Sequence, residues 1–248
     1  MSKRDILVLV EGEVTDVKLM ENLLLIYGIH EGHQIVFYGT DIYSLYDSMF
    51  RNKDGLASLD IPLHLRSKEN NPNKKDILSK QFSRILLIFD FDPQSTHYSP
   101  DSIQKMAEYF VDSADMGMLY LSYPMIESFY HVKCIPDNNY MDYTASLAEL
   151  KGKRETYKGR VSRESCITNR NTFFDNKALC NIIIRQNLEK AWTITGGNPS
   201  RDLRPPNQTD IVKAQLEKLK SDSCVDVLCT CVFYIIDYNP LLITQTGE

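Results

Sequence analysis

Four short, mainly apolar runs separate segments of helical periodicity in the first half of the chain. The runs are DILVLV at 5–10, QIVFY at 34–38, ILLIF at 85–89 and GMLYL at 117–121. Consecutive apolar positions of this kind are typical of strands that are covered on both faces of a sheet. Between the runs, apolar residues recur every three or four positions, which predicts helices.

The helices are bounded by recognisable start and stop residues. Thr15 is a plausible N-cap for the first helix, which ends at Gly28, and a second helix is predicted over 42–50. A third is predicted over 99–113, with Ser99 as N-cap and Pro100 in the first turn. By contrast, the polar stretch 67–80 predicts an exposed loop.

The alternation β-α-β-α-β-α-β predicts an α/β fold with a parallel four-stranded sheet and helices on both faces. The pattern changes near Pro136, which divides the chain into a region 1–135 and a mainly helical region 136–248. The second region contains three predicted helices and one apolar segment that fits either a helix or a buried strand. These lie at 142–150, 172–186, 209–220 and 224–236.

Composition favours a soluble, cytoplasmic protein. The 248 residues are enough to bury a core, and 43% hydrophobic with 25% charged residues is ordinary for a globular chain. The most apolar stretch, 225–236, is too short to span a membrane, and no cleavable signal is predicted. The six cysteines are expected to be mostly buried free thiols in a reducing compartment.

The charge distribution is uneven. Residues 1–135 carry 13 basic and 19 acidic side chains, for a net charge of −6, although the whole chain has −5. Bound divalent cations would explain an excess of acidic groups in one region.

Acidic residues follow three of the predicted strands. Glu11-Gly12 ends the first strand, Asp90-x-Asp92 ends the third, and Glu127 follows the fourth. In parallel sheets, ligands bind outside the carboxyl ends of the strands, so these carboxylates are expected at one edge. Carboxylates that converge repel each other unless they bind protons or cations, and oxygen ligands suit Mg²⁺ or Mn²⁺.

The segments EGEVTD and DFD together resemble the Toprim domain of topoisomerases, bacterial primases, small maturation ribonucleases and OLD-type nucleases. That domain has a Glu-Gly pair after its first strand and Asp-x-Asp after a later one, matching Glu11, Gly12, Asp90 and Asp92. Asp16 corresponds to an acid found in OLD-like and RloB-like members. YPMIESF is similar to a motif of stand-alone Toprim proteins linked to phage defence, and this similarity adds Glu127. The resemblance covers residues 5–133.

The resemblance implies a nuclease that uses Mg²⁺ or Mn²⁺, with two ions, and that cleaves DNA or RNA, tRNA included. Asp90 and Asp92 would be metal ligands, and Glu11 would bridge a metal or act as general acid/base. Asp16 and Glu127 would complete a second metal position. The family setting implies an effector of anti-phage defence that can form a homo-oligomer. Its ATPase would be a separate protein, because this chain has no Walker A motif.

Positive charge for nucleic-acid binding is concentrated in KGKRETYKGRVSR, residues 151–163. The candidate contacts are Lys151, Lys153, Arg154, Lys158, Arg160 and Arg163. Tyr157 lies among them and is a candidate for base stacking, although a solvated loop has the same composition. For a lysine that stabilises the phosphate, the sequence offers Lys18, Lys74 and Lys133.

Two other functions are compatible with the same residues. The chain could be a non-catalytic Toprim-like module that binds nucleic acid or a partner protein. It could also be a phosphatase of the haloacid dehalogenase type, in which the first Asp of DFDPQ is the nucleophile. That motif normally follows the first strand, whereas here it follows the third, and the chain has no Asp-Asp pair.

Overall fold

A computed structural model describes residues 5–50, 60–152, 155–198 and 203–244. Strands β1–β8 span Asp5–Val10, His33–Phe37, Phe82–Asp90, Val111–Asp112, Gly117–Tyr123, Thr144–Ser146, Cys224–Asp226 and Leu228–Cys229. Helices α1–α6 span Thr15–Ile26, Ile42–Phe50, Ile61–Lys68, Pro72–Leu78, Pro100–Tyr109 and Leu147–Leu150. Helices α7–α11 span Tyr157–Glu164, Arg170–Phe173, Lys177–Ile194, Gln208–Asp222 and Phe233–Tyr238.

The central sheet contains all four predicted strands. They are ordered β2-β1-β3-β5 and run parallel, which confirms the α/β prediction. Two short strands, β4 and β8, pair antiparallel with opposite ends of β5 and make the sheet mixed. The interiors of β1 and β3 are fully buried, which accounts for their continuous apolar sequences.

Helices are distributed over the two faces by the direction of the crossovers. From β1 to β2 the chain steps toward the β2 edge of the sheet. From β2 to β3 and then to β5 it steps in the opposite direction. Right-handed crossovers therefore place α1 on one face and α2 to α5 on the other. C-terminal helices pack on both groups: Tyr27, after α1, donates to Asn181 of α9, and Thr209 of α10 donates to the Ala107 carbonyl of α5.

The C-terminal region contributes directly to the central sheet. Strand β8 pairs with Ser122 and Tyr123 at the end of β5. Next to it, the Thr230 hydroxyl accepts from the Leu121 N–H at 2.8 Å and donates to the Leu121 carbonyl at 2.9 Å. The division at Pro136 stays a prediction, but both of its parts are needed to complete this sheet.

Several local predictions are wrong for identifiable reasons. The predicted loop 67–80 contains the end of α3 and all of α4, because Asn71 caps α4 and Pro72 occupies its first turn. Within 142–150, only α6 is α-helical, since β6 precedes it and pairs with β7. The predicted helix 99–113 stops at Tyr109, and Val111–Asp112 pairs with β5 instead.

The remaining predictions have mixed outcomes. Segment 172–186 is divided between α8 and α9, and the apolar segment 224–236 holds both strands and a helix. Thr15 is the first residue of α1 rather than its cap. All six cysteines are free, but Cys134 and Cys166 are exposed. Among the helices described, none combines the length and the apolar character that a membrane span requires.

Candidate metal centre

The turn after β3 places Asp90 and Asp92 on the same side of the sheet edge. Asp90 is the last residue of β3, and Phe91 is fully buried against the core. Asp92 then adopts a left-handed conformation with φ +39°, which aspartate tolerates better than most residues. Its N–H donates to the Pro124 carbonyl at 3.1 Å, so the chain leaves the strand between the two acids. The usual alternation of side chains is thereby interrupted.

Glu11 reaches this turn from the neighbouring strand. Its backbone N–H continues the ladder to the Ile88 carbonyl at 3.1 Å. Its Oε2 accepts a hydrogen bond of 3.0 Å from the Asp90 N–H. As a result, Glu11, Asp90 and Asp92 each offer a carboxylate oxygen within 4.8 Å of the other two. Three oxygen ligands at this spacing could hold one divalent cation.

Asp16 and Glu127 line the same cavity, which has a volume of about 360 Å³. Asp16 lies in the first turn of α1 and is 5% exposed, and Glu127 lies in the 3₁₀ turn after β5 and is 6% exposed. Three buried carboxylate oxygens here have no protein partner: Asp16 Oδ1, Asp90 Oδ1 and Glu127 Oε2. Buried oxygens without a partner are unfavourable, and hard cations such as Mg²⁺ or Mn²⁺ would satisfy them. The residues therefore fit the metal that their sequence pattern predicts.

The protonation of the acids reflects their crowding. Burial raises the pKa of Glu11 to about 8; the Asp90 N–H opposes this rise, and the Asp92 and Asp16 carboxylates add to it. Burial and the Glu11 charge hold the pKa of Asp90 well above its usual range. The pKa values of Asp16 and Asp92 are also raised, chiefly by burial. Without a cation, the cluster therefore retains protons at neutral pH.

Lys158 brings a positive charge to this cavity from the first part of α7. Its Nζ lies 3.3 Å from Glu127 Oε1. Burial lowers the pKa of Lys158, but the carboxylates of Glu127, Asp90 and Asp92 outweigh burial and hold this pKa above its usual value. Tyr157 anchors the start of the helix, because its buried hydroxyl lies 3.2 Å from His131 Nδ1. Lys158 thus stays charged beside the acids.

The other predicted basic contacts whose positions the structure describes do not line the acidic cavity. Arg160 pairs with Glu149 at 2.9 Å and donates to the Thr144 carbonyl, whereas Lys151 and Arg163 are exposed. Lys153 and Arg154 lie outside the described residues. Tyr157 is 1% exposed, so the prediction that it stacks on bases is wrong. The basic segment is not one solvated loop, because α7 begins within it.

The lysines that the sequence offered for phosphate binding have other positions. Lys74 lies over the Phe37 ring at 3.1 Å, Lys133 pairs with Glu164 at 3.1 Å, and Lys18 is exposed on α1. None of them lines the cavity that Lys158 enters. Sequence reasoning also missed Gln94, which donates to Asp92 Oδ1 at 2.7 Å. Its position two residues after Asp92, in a turn, was the only available indication.

No family model matches the chain, and searches of the curated proteins and of the solved structures also found no match. The chemistry of the cavity must therefore be argued from its own residues. Five carboxylates, one lysine and one amide converge at the carboxyl ends of parallel strands. This combination defines a candidate divalent-metal centre.

Gly12→Ala is expected to weaken Mn²⁺ binding about tenfold, as disturbing the support of a metal ligand commonly does. A Cβ at Gly12 would lie 2.6 Å from Asp16 Oδ2, so the Asp16 carboxylate would have to move. Isothermal titration calorimetry with Mn²⁺ measures the change. In the Asp16→Ala background, Gly12→Ala should add little further loss, since both changes act through the same carboxylate. Fully additive losses would contradict this coupling.

Proposed function

We propose that this protein is a metal-dependent nuclease of the Toprim type that hydrolyses phosphodiester bonds in DNA or RNA. The observation that carries the proposal is the convergence of Glu11, Asp90 and Asp92 within 4.8 Å, beside buried carboxylate oxygens that have no partner. The strand order supports the Toprim comparison, because β1 and β3 are adjacent and bring the Glu-Gly pair beside the Asp-x-Asp turn.

The cavity has enough ligands for two ions. Glu11, Asp90 and Asp92 would hold one Mg²⁺ or Mn²⁺, and Asp16 with Glu127 would contribute to a second position on the same wall. When bound, such ions neutralise charge that develops on the phosphate and make water more acidic. The unpartnered oxygens of Asp16 and Glu127 support their assignment as ligands rather than as surface acids.

The protein's own groups provide orientation and proton transfer. Lys158 is held 3.3 Å from Glu127 and offers its ammonium group to a phosphate oxygen at the cavity wall. The Glu11 carboxylate lines the cavity and accepts the Asp90 N–H at 3.0 Å, so it suits a general acid/base role as an alternative to a ligand role. Gly12 leaves room for the Asp16 carboxylate, since a Cβ at this position would lie 2.6 Å from Asp16 Oδ2.

The biological setting of the proposal comes from the resemblance. A stand-alone Toprim nuclease of this kind would act in the cytoplasm as an effector of anti-phage defence. A separate ATPase would control it, and it could assemble as a homo-oligomer. Such control would explain how a nuclease is tolerated by the cell that makes it.

Cleavage of a panel of nucleic acids tests the proposed activity. Purified protein is incubated with supercoiled plasmid, single-stranded DNA and total tRNA, in Mg²⁺ or Mn²⁺ and in EDTA. We expect cleavage of at least one substrate that requires metal and falls at least about 100-fold in Asp90→Asn, because one ligand charge is lost. Cleavage that persists in EDTA or in Asp90→Asn would refute the metal-dependent mechanism. Formation of a trapped aspartyl-phosphate would instead support a phosphatase.

A further inference from the structure

A second concave surface, which we call the α10 groove, opens beside the metal centre. It has a volume of about 600 Å³ and lies between α10, α6, the start of α5 and the turn after β3. This volume is within the range of about 300–1,000 Å³ that is usual for ligand sites. The groove is distinct from the acidic cavity, because no side chain is shared between the two linings.

The groove and the metal centre meet at a single turn. Pro93 lines the groove, whereas its two neighbours in the chain, Asp92 and Gln94, line the acidic cavity. A ligand in the groove would therefore lie next to the residue that carries one of the metal-binding carboxylates.

The walls of the groove are apolar and partly aromatic. Leu147 and Leu216 are half-buried on α6 and α10, and Tyr98 is half-buried opposite them. The Tyr98 ring is held edge-on by Phe91 at 5.9 Å and by Tyr43 at 5.7 Å between ring centres. A fixed aromatic wall flanked by leucines suits the flat face of a nucleobase.

The rim of the groove is positively charged, in contrast to the chain as a whole. Lys151, Lys213 and Lys220 are exposed on the rim, and Glu217 is its acidic member. The local charge is thus positive although the protein carries −5. Lysines around an apolar groove match a phosphate backbone that carries exposed bases.

We propose that the α10 groove binds a single-stranded stretch of nucleic acid adjoining the phosphodiester that is cleaved. This inference rests on the proposed nuclease function and specifies its substrate as unpaired rather than duplex. Bases in a duplex are stacked and paired, so their faces cannot enter an apolar groove, whereas unpaired bases can. The rim lysines contact the phosphates, and the walls accept one or more bases.

Fluorescence anisotropy in EDTA tests the groove with short labelled oligothymidine and a duplex of the same length. We expect tighter binding of the single strand, and Lys213→Glu and Lys220→Glu should each weaken it about three- to tenfold. Glu217→Lys should tighten it about two- to fivefold, because the same rim becomes more positive. Leu216→Ser should weaken single-strand binding and leave duplex binding unchanged, which separates base contacts from charge.

Lys105→Glu provides the matched control for Lys213→Glu, because it makes the same change of charge. Lys105 is exposed on α5 and does not line the groove. Circular dichroism melts confirm that each variant folds. Equal effects of Lys105→Glu and Lys213→Glu, a preference for duplex, or no binding of either probe would overturn the groove proposal. Binding in EDTA does not depend on the metal centre, and Mn²⁺ calorimetry does not depend on the groove. The two proposals can therefore fail separately.

Discussion

Glu11→Gln is expected to lower Mn²⁺ affinity by about 10- to 100-fold and to remove metal-dependent cleavage. The substitution keeps the length of the side chain and an oxygen that can accept the Asp90 N–H hydrogen bond of 3.0 Å. It removes the negative charge that the three-carboxylate arrangement of Glu11, Asp90 and Asp92 would present to a cation. Isothermal titration calorimetry measures the affinity, and the nucleic-acid panel measures the cleavage.

Glu13→Gln is the matched control for this experiment. Glu13 is two residues away and exposed, and it does not line the acidic cavity, so an identical loss of charge there should leave Mn²⁺ affinity within about twofold. Unchanged calorimetry together with unchanged cleavage in Glu11→Gln would remove the basis of the metal centre. Retained metal binding with lost cleavage would instead assign Glu11 to proton transfer.

The metal-free protein is expected to lose stability as the pH rises from about 6.5 to about 8. The pKa of Glu11 is raised from 4.5 to about 8 in the folded state, so the folded state binds more protons than the unfolded chain between these values. The contribution of Glu11 to the free energy of unfolding is complete below pH 4.5 and is lost as the pH rises through about 8. Thermal melts in EDTA should show Tm falling by several degrees, since about 1 kcal/mol corresponds to about 2–4 °C in a chain of this size.

The pH range from about 6.5 to about 8 lies between the ranges in which two other groups, His131 and Lys190, change the stability in the opposite direction. Burial lowers the pKa of His131 to about 4, so its contribution to stability is complete above about pH 6.5 and is lost as the pH falls from there through about 4. Burial lowers the pKa of Lys190 to about 8, and its contribution changes mainly above that pH. The difference in Tm between wild type and Glu11→Gln cancels the contributions of groups that do not interact with Glu11, such as His131 and Lys190, and it should shrink in saturating Mn²⁺. A wild-type Tm that rises across the window relative to Glu11→Gln would contradict the raised pKa.

The metal centre could be predicted from the sequence because two of its parts are short motifs at strand ends. The run before Asp90 is long and apolar enough to predict a buried strand, and parallel strands end at a common edge. Glu11 follows the first run in the same way, and the structure brings the two within hydrogen-bonding distance. The exit of the chain after Asp90, with Asp92 in a left-handed conformation, explains how Asp90 and Asp92 share one side.

Lys158 shows what the sequence could not provide. Its place at the cavity depends on how α7 packs against the 3₁₀ turn that carries Glu127, and that packing involves buried Tyr157 and His131. The sequence instead suggested that Tyr157 was exposed, because most residues around it are basic or polar. On a short helix, such a composition does not indicate that one aromatic side chain faces the core. Tertiary packing decides such positions, and no local pattern reveals it.

The pairing of β8 with β5 has a consequence for how the protein is made. The Ser122 hydroxyl and the Cys229 thiol lie 3.9 Å apart across this pair although 107 positions separate them in the chain. On the other side of β5, Ser122 is paired with Asp90 of β3. During translation, the edge of β5 stays unpaired there until residues 228–229 have left the ribosome. A nascent polypeptide therefore assembles its acidic edge against an unfinished sheet, and the edge is completed only after residues 228–229 have been synthesised.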